Sequence, residues 1–280
     1  MNRRIRMART DRLGRLRPVF VMLLAAGMTL PLSGGQEKYL RGQNIAPIFD
    51  GWEQSPDGGF NMVFGYLNRN YEEVVDLPIG PNNNLEPGGP DQGQPTRFFP
   101  RRSRFLFRVK VPKDFGNKEL VWTLTAHGRT DKAYATLRPE YVLDNGLIEG
   151  GNIGQRTERN EPPVIKVEGN DHRTAVNRPI TLTADITDDG IPKAPPPGGI
   201  EPRKAKVGLR AGWFVYRGTG TITFDPQQSQ PFKRDSAAWV PADGKSSVKV
   251  TFSQAGTYLL RVTADDGGLF SVRDVAVTVE

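Results

Sequence analysis

The 280-residue chain contains no cysteine, which excludes disulfides, thiolate metal sites, cysteine nucleophiles and a lipid-modified cysteine anchor. Histidine is nearly as scarce. Only His127 and His172 occur, and neither stands in a motif of a serine hydrolase or a zinc enzyme. No segment has the length and periodicity of a long helix, so no glycine-rich phosphate loop can open one. Two carboxylates facing each other across a sugar would suffice for glycoside hydrolysis, but nothing in the sequence singles out a pair. A non-enzymatic chain is expected.

An excess of positive charge is also missing from most of the chain. The formal net charge is +7, yet residues 1–35 hold Arg3, Arg4, Arg6, Arg9, Arg12, Arg15 and Arg17 against Asp11 alone. Taking those seven arginines and one acid from 38 basic and 31 acidic residues leaves 31 and 30, a charge of +1. Phosphate-backbone binding needs several neutralised charges. No nucleic-acid partner is expected.

The arginine-rich start leads into an apolar run from Pro18 to Leu30, followed by Pro31 and the small residues Ser33-Gly34-Gly35. This layout predicts a signal peptide over 1–35, cleaved after Gly35. The run is short for a bilayer span. An Ala-x-Ala site is lacking, which leaves an uncleaved anchor as the alternative. Arg3-Arg4 invites a twin-arginine reading, although Ile5-Arg6-Met7 departs from the apolar pattern of such signals. No later run reaches membrane-span length, so a periplasmic or secreted mature chain is expected.

Glycine (31) and proline (23) are abundant, and hydrophobic residues make up 37%. Many short strands joined by turns are expected, an all-β fold with two β-sandwich domains in tandem. In residues 36–145, Phe60, Met62, Phe64 and Tyr66 share one face of a period-two pattern. Phe105, Phe107, Val109 and Val111 make a second such face, and Leu120, Trp122, Leu124 and Ala126 a third. Between them, 78–100 is rich in Asn, Gly and Pro and reads as a long, polar, exposed loop. Residues 146–161 read as a linker. In 162–280, Ile180, Leu182, Ala184 and Ile186 alternate with polar residues, as do Val248, Val250 and Phe252. Tyr258, Leu260, Val262 and Ala264 form another face, and Val275, Val277 and Val279 the last.

Several features of this second segment carry a resemblance. Pro162-Pro163-Val164-Ile165 opens a first strand, Trp213 lies in Gly212-Trp213-Phe214-Val215-Tyr216, and Ala255-Gly256-Thr257-Tyr258 precedes Leu259-Leu260. Residues 162–280 resemble the immunoglobulin-like and PKD-type modules of bacterial surface and secreted proteins. The resemblance implies that Trp213 is the strand C tryptophan and Tyr258 the tyrosine corner. It also implies that Leu260 stands where antibody domains have their second cysteine. It identifies a scaffold rather than a function.

Three candidate sites follow. Trp122 and Trp213 lie in alternating apolar strands and read as core, whereas Trp52 and Trp239 fall in loop-like settings and are candidate sugar-stacking contacts, with packing as the competing role. Arg101-Arg102-Ser103-Arg104 is a basic cluster whose ordinary explanation is the solvent face of a strand. Asp188-Asp189-Gly190 follows the expected strand B and Asp265-Asp266-Gly267 the expected strand F, while Asn160 with Glu161 precedes strand A. An immunoglobulin-like sandwich puts these three segments at one end, near the junction of the domains. Asn160, Asp188, Asp189, Asp265 and Asp266 are therefore candidate ligands of Ca2+, whose irregular oxygen coordination such loops suit. Asp-Asp-Gly is equally good turn chemistry. The expected function is an exported binding or structural module of the cell envelope or extracellular space, its partner an unidentified protein or polysaccharide. A carbohydrate-binding protein, accessory to polysaccharide processing, is the alternative.

Overall fold

The computed structural model describes residues 39–143, 160–169, 171–191, 208–228 and 238–280. The expected signal peptide and residues 146–159 of the expected linker lie outside the described residues. The first half contributes β1 (Ile45–Gln54), β2 (Phe60–Asn68), β3 (Val75–Asp76), β4 (Asn83–Glu86), β5 (Arg97–Phe98), β6 (Arg101–Val111), β7 (Leu120–Ala126) and β8 (Arg129–Ala135). They form sheets ordered β1-β2-β6 and β4-β7-β8, with a small β3-β5 pair. A 3-10 turn at Pro139–Tyr141 is the one helical segment among the described residues, and none there is long and apolar enough to cross a membrane.

Strand β7 follows the expected alternation without exception: Leu120, Trp122, Leu124 and Ala126 are buried and the residues between them are not. Its Trp122 ring meets Phe107 edge-on at 4.9 Å, and Phe107 stacks on Phe64 at 5.3 Å. Such aromatic pairs add to the area they bury. Phe105 breaks the pattern expected of β6. The β2–β6 register shifts between Phe64 and Tyr66, and Phe105 takes φ +53°. A bulge of this kind re-aims a side chain. The Phe105 ring stacks instead on Phe270, 6.5 Å away in the second half.

The second half comprises β9 (Val164–Val167), β10 (His172–Thr174), β11 (Ile180–Thr187), β12 (Arg210–Arg217), β13 (Ile222–Asp225), β14 (Ala238–Trp239), β15 (Lys245–Phe252), β16 (Gly256–Asp265) and β17 (Phe270–Val279). One sheet runs β13-β15-β11-β9 and the other β10-β17-β16-β12-β14. In immunoglobulin letters these are D-E-B-A and a G-F-C sheet, the latter widened by β10 in parallel beside G and by β14 beside C. This is an immunoglobulin-like β-sandwich. Its core holds Leu182, Trp213, Val250 and Leu260, all essentially without solvent contact. Tyr258 Oη donates to the Gln254 carbonyl at 2.8 Å, the hydrogen bond of a tyrosine corner. Gly218 has to be glycine there: its φ is +134°, and a Cβ would come within 2.3 Å of the Tyr258 ring.

Segment 78–100 is only in part the exposed excursion its composition predicts: Glu86 to Asp91 are exposed, but the stretches on either side are built into the fold. It contains β4 and β5, and Asn83 and Gln94 are completely buried. Asn83 donates to the carbonyls of Leu77 and Pro95 and accepts from Trp122 Nε1. Buried polar groups with every bond made are rigid. At Asn83 and Gln94 the polar composition reflects internal backbone capping, whereas Glu86 to Asp91 face solvent.

The segment also docks on the second sandwich. Strand β12 is buried on both faces: Trp213 and Val215 enter the second core, while Phe214 and Tyr216 join the first. The described residues of both halves accordingly belong to one compact unit.

Candidate functional site

The acidic cluster lies at the end of the second sandwich where the loops after β11 and β16 meet the approach to β9. Local chemistry holds each loop. Asp188 Oδ2 accepts from Gly190 N at 2.9 Å, and Asp189 Oδ1 from Ile191 N at 2.8 Å. Asp265 Oδ1 accepts from Gly267 N at 2.7 Å, and Asp266 Oδ1 from both Gly268 N and Leu269 N at 2.6 and 2.7 Å. These are turns built by side chains bonding their own backbone. Asp189 Oδ2 reaches across to Glu161 N at 3.0 Å, which ties the approach to β9 onto the loop after β11.

Turn chemistry uses only half of the carboxylate oxygens. Asn160 Oδ1, Asp188 Oδ1 and Asp266 Oδ2 are buried without a hydrogen-bond partner among the described residues. Asp266 as a whole is 1% exposed. An unsatisfied buried oxygen is costly, and a charged one more so. Burial first, and the charge of Asp188 as well, push the Asp266 carboxyl up to about 6, against the lowering effect of its backbone hydrogen bonds and of Asn160. Burial likewise raises Asp188. The structure therefore brings Asn160, Asp188 and Asp266 together with oxygens to spare. It commits both oxygens of Asp189 to backbone groups and gives Asp265 a turn bond. Among the described residues no three His, Cys, Asp or Glu side chains form a metal-ligating group; this cluster has two carboxylates and an amide.

The two candidate tryptophans differ. Trp52 lies in β1 rather than a loop, its Nε1 donates to the Arg138 carbonyl at 2.8 Å, and its ring meets Phe60 edge-on. Trp239 is 58% exposed on β14. The Arg210 guanidinium sits 4.3 Å from its ring centroid, and the ring lies so close to Gly208 that a Cβ there would come within 2.5 Å of it. Gly208 N in turn donates to the Asp266 carbonyl at 2.9 Å, so Trp239 adjoins the acidic end.

Two arginines of the basic run are occupied internally, and Arg104 is exposed on β6. Arg102 pairs with Asp50, and Arg101 covers the Tyr71 ring. His127, at the β7–β8 turn, lies 3.2 Å from Glu73, and His172 is in β10 of the other sandwich.

The residues that join the sandwiches were not legible as a site. Arg261, 6% exposed, forms a two-bond pair with Asp274, donates to the Leu106 carbonyl and stacks 3.7 Å over Tyr216. Tyr216 Oη donates to the Gly93 carbonyl, and burial raises its pKa. Arg217 holds Asp91 through two 2.8 Å bonds and the Gln94 carbonyl through Nε. The available signal was Trp213-Phe214-Val215-Tyr216, apolar on both faces of one strand, which marks a strand covered on both sides.

No protein-family model matches the chain, and no curated protein matches it. Among solved structures it is similar to a conjugative transposon lipoprotein from Bacteroides eggerthii at 10% identity, covering 41% of this chain and 96% of that one, with a TM-score of 0.29. It is also similar to the D00-D0 domain of intimin at 14% identity, 84% and 99% coverage and a TM-score of 0.26. A human PKD domain shares 16% identity over 45% of this chain and 89% of its own, with a TM-score of 0.24. All three TM-scores lie below 0.5, and nothing about activity or partners follows from them.

Proposed function

We propose that the chain is an exported, non-enzymatic structural or binding module of the cell envelope or extracellular space, in which two sandwiches act as one stiff body. The observation that supports this most is the fastening of the first sandwich onto the second, segment 78–100 onto β12 by Tyr216 and Arg217 and β6 onto β16 by Arg261. Inter-domain joints normally permit relative motion unless they are well packed. Here aromatic and arginine side chains, the residues that anchor interfaces, fill the joint. Buried polar groups such as Asn68, Asn83 and Arg261 bond backbone carbonyls, a structural employment.

Exposed Trp239, backed by Arg210, favours carbohydrate binding as a second reading, since a free indole face stacks on sugar rings as aromatic platforms do. A glycan array separates the two: retention that is lost in Trp239→Ala supports the sugar reading. The export part is tested by fractionation and intact mass. A chain beginning near Gln36 outside the cytoplasm is expected, and one retaining Met1 inside the cytoplasm would overturn it.

A further inference from the structure

We propose that Asn160 Oδ1, Asp188 Oδ1 and Asp266 Oδ2 bind a calcium-type divalent cation that fastens the start of the second sandwich to its two neighbouring loops. The inference goes beyond the role of the module and does not depend on it.

The donor set selects the chemistry. All three atoms are hard oxygens, and neither nitrogen nor sulfur is present, which disfavours zinc, copper and nickel. Two carboxylates oppose a charge of two. Calcium takes roughly six to eight oxygens in irregular geometry, so backbone carbonyls and water would complete the shell. Magnesium demands a stricter octahedron and parts with its water reluctantly, which suits buried oxygens poorly.

Each loop presents one oxygen because the other is fixed. Gly190 N holds Asp188 Oδ2, and Gly268 N with Leu269 N holds Asp266 Oδ1. The free oxygens are thus preorganised, which reduces the ordering cost of binding. A turn needs only one oxygen per aspartate. It does not account for Asp266 being 99% buried with an unpartnered Oδ2 beside a second carboxylate. Asp189 Oδ2, on Glu161 N, brings Asn160 into position as a neighbouring residue. Asp189 is therefore a positioning residue and not a ligand.

The test is thermal unfolding of the full chain in millimolar CaCl2, in MgCl2, in ZnCl2 and in chelator. Calcium at a hundredfold excess over its dissociation constant should raise the Tm by about 5–10 °C. The variants are Asp188→Asn and Asp266→Asn, which keep the turn-forming acceptor and remove the charge, with Asp171→Asn, exposed and remote, as the control. Both amide variants should lose the calcium response, and in chelator both should melt at or above the parent because a pair of uncompensated carboxylates is gone. That crossing of signs is specific to a cation site: a purely turn-forming role gives the same change with and without calcium. Equal parent melting in calcium and chelator overturns the proposal, as does a calcium response that survives in both variants or a response to zinc alone. Circular dichroism in chelator separates a lost site from a lost fold, and a variant that fails to fold there contradicts the predicted gain.

Discussion

Replacing Arg261 by methionine keeps most of the side chain's length and apolar stem while deleting the guanidinium that joins the two sandwiches. That group is 7% exposed, forms a two-bond pair with Asp274, donates to the Leu106 carbonyl and stacks on Tyr216 at 3.7 Å. Breaking a buried ion pair by removing one partner costs about 3–5 kcal/mol, and a desolvated cation–π contact about 2. The Asp274 side chain is 35% exposed and regains water when its partner leaves, so the lower part of that range applies. Methionine also refills part of the apolar volume. The expected net loss is about 2–4 kcal/mol, equivalent to a Tm lowered by roughly 5–15 °C for a unit of this size. Thermal unfolding followed by circular dichroism measures it, and Asp274→Asn, which keeps a hydrogen-bond acceptor, should lose less. A loss below about 1 kcal/mol, the size of an ordinary surface change, would refute the reasoning that this arginine fastens the joint.

Three further outcomes follow from the same contacts. Trp213→Ala should cost about 3–5 kcal/mol, because the indole is fully buried and its Nε1 bonds Ser246 Oγ, and a denaturant midpoint close to the parent's would contradict its place in the core. Residues 162–280 produced alone should expose Phe214 and Tyr216, bind a hydrophobic dye and melt below the full chain; equal stability without dye binding would mean the shared face contributes nothing. Trp239→Ala should leave stability within about 1 kcal/mol, the size of an exposed cation–π contact, and a larger loss would mean that the ring is a structural element.

Much of the second sandwich was legible because strands such as β11 and β15 bury one face each, and period-two alternation records that directly. Leu182, Ala184 and Ile186 in β11 and Val248, Val250 and Phe252 in β15 sit where the alternation puts them. The tyrosine corner was legible because a local sequence, Ala255 to Tyr258, builds a local hydrogen bond. The joint was not, for a physical reason: Arg261 bonds Leu106 and Tyr216 bonds Gly93, and long-range contacts leave no spacing to read. The exposed middle of segment 78–100 was legible in its composition, but its buried ends were not, because asparagine and glutamine read as solvent-facing whether they meet water or cap internal carbonyls. Phe105 left its face through a bulge that periodicity does not encode. At the acidic end the sequence indicated the three loops, but only the fold distinguishes Asp188 and Asp266, which keep a free oxygen, from Asp189, which does not.

The central claim is that the two sandwiches move as one body. Backbone 15N relaxation tests it most directly, by comparing amides of β7 in the first sandwich with those of β16 in the second. One shared rotational correlation time, matching a particle of the whole unit, is the expected result. Separate and shorter correlation times for the two sandwiches would contradict the account.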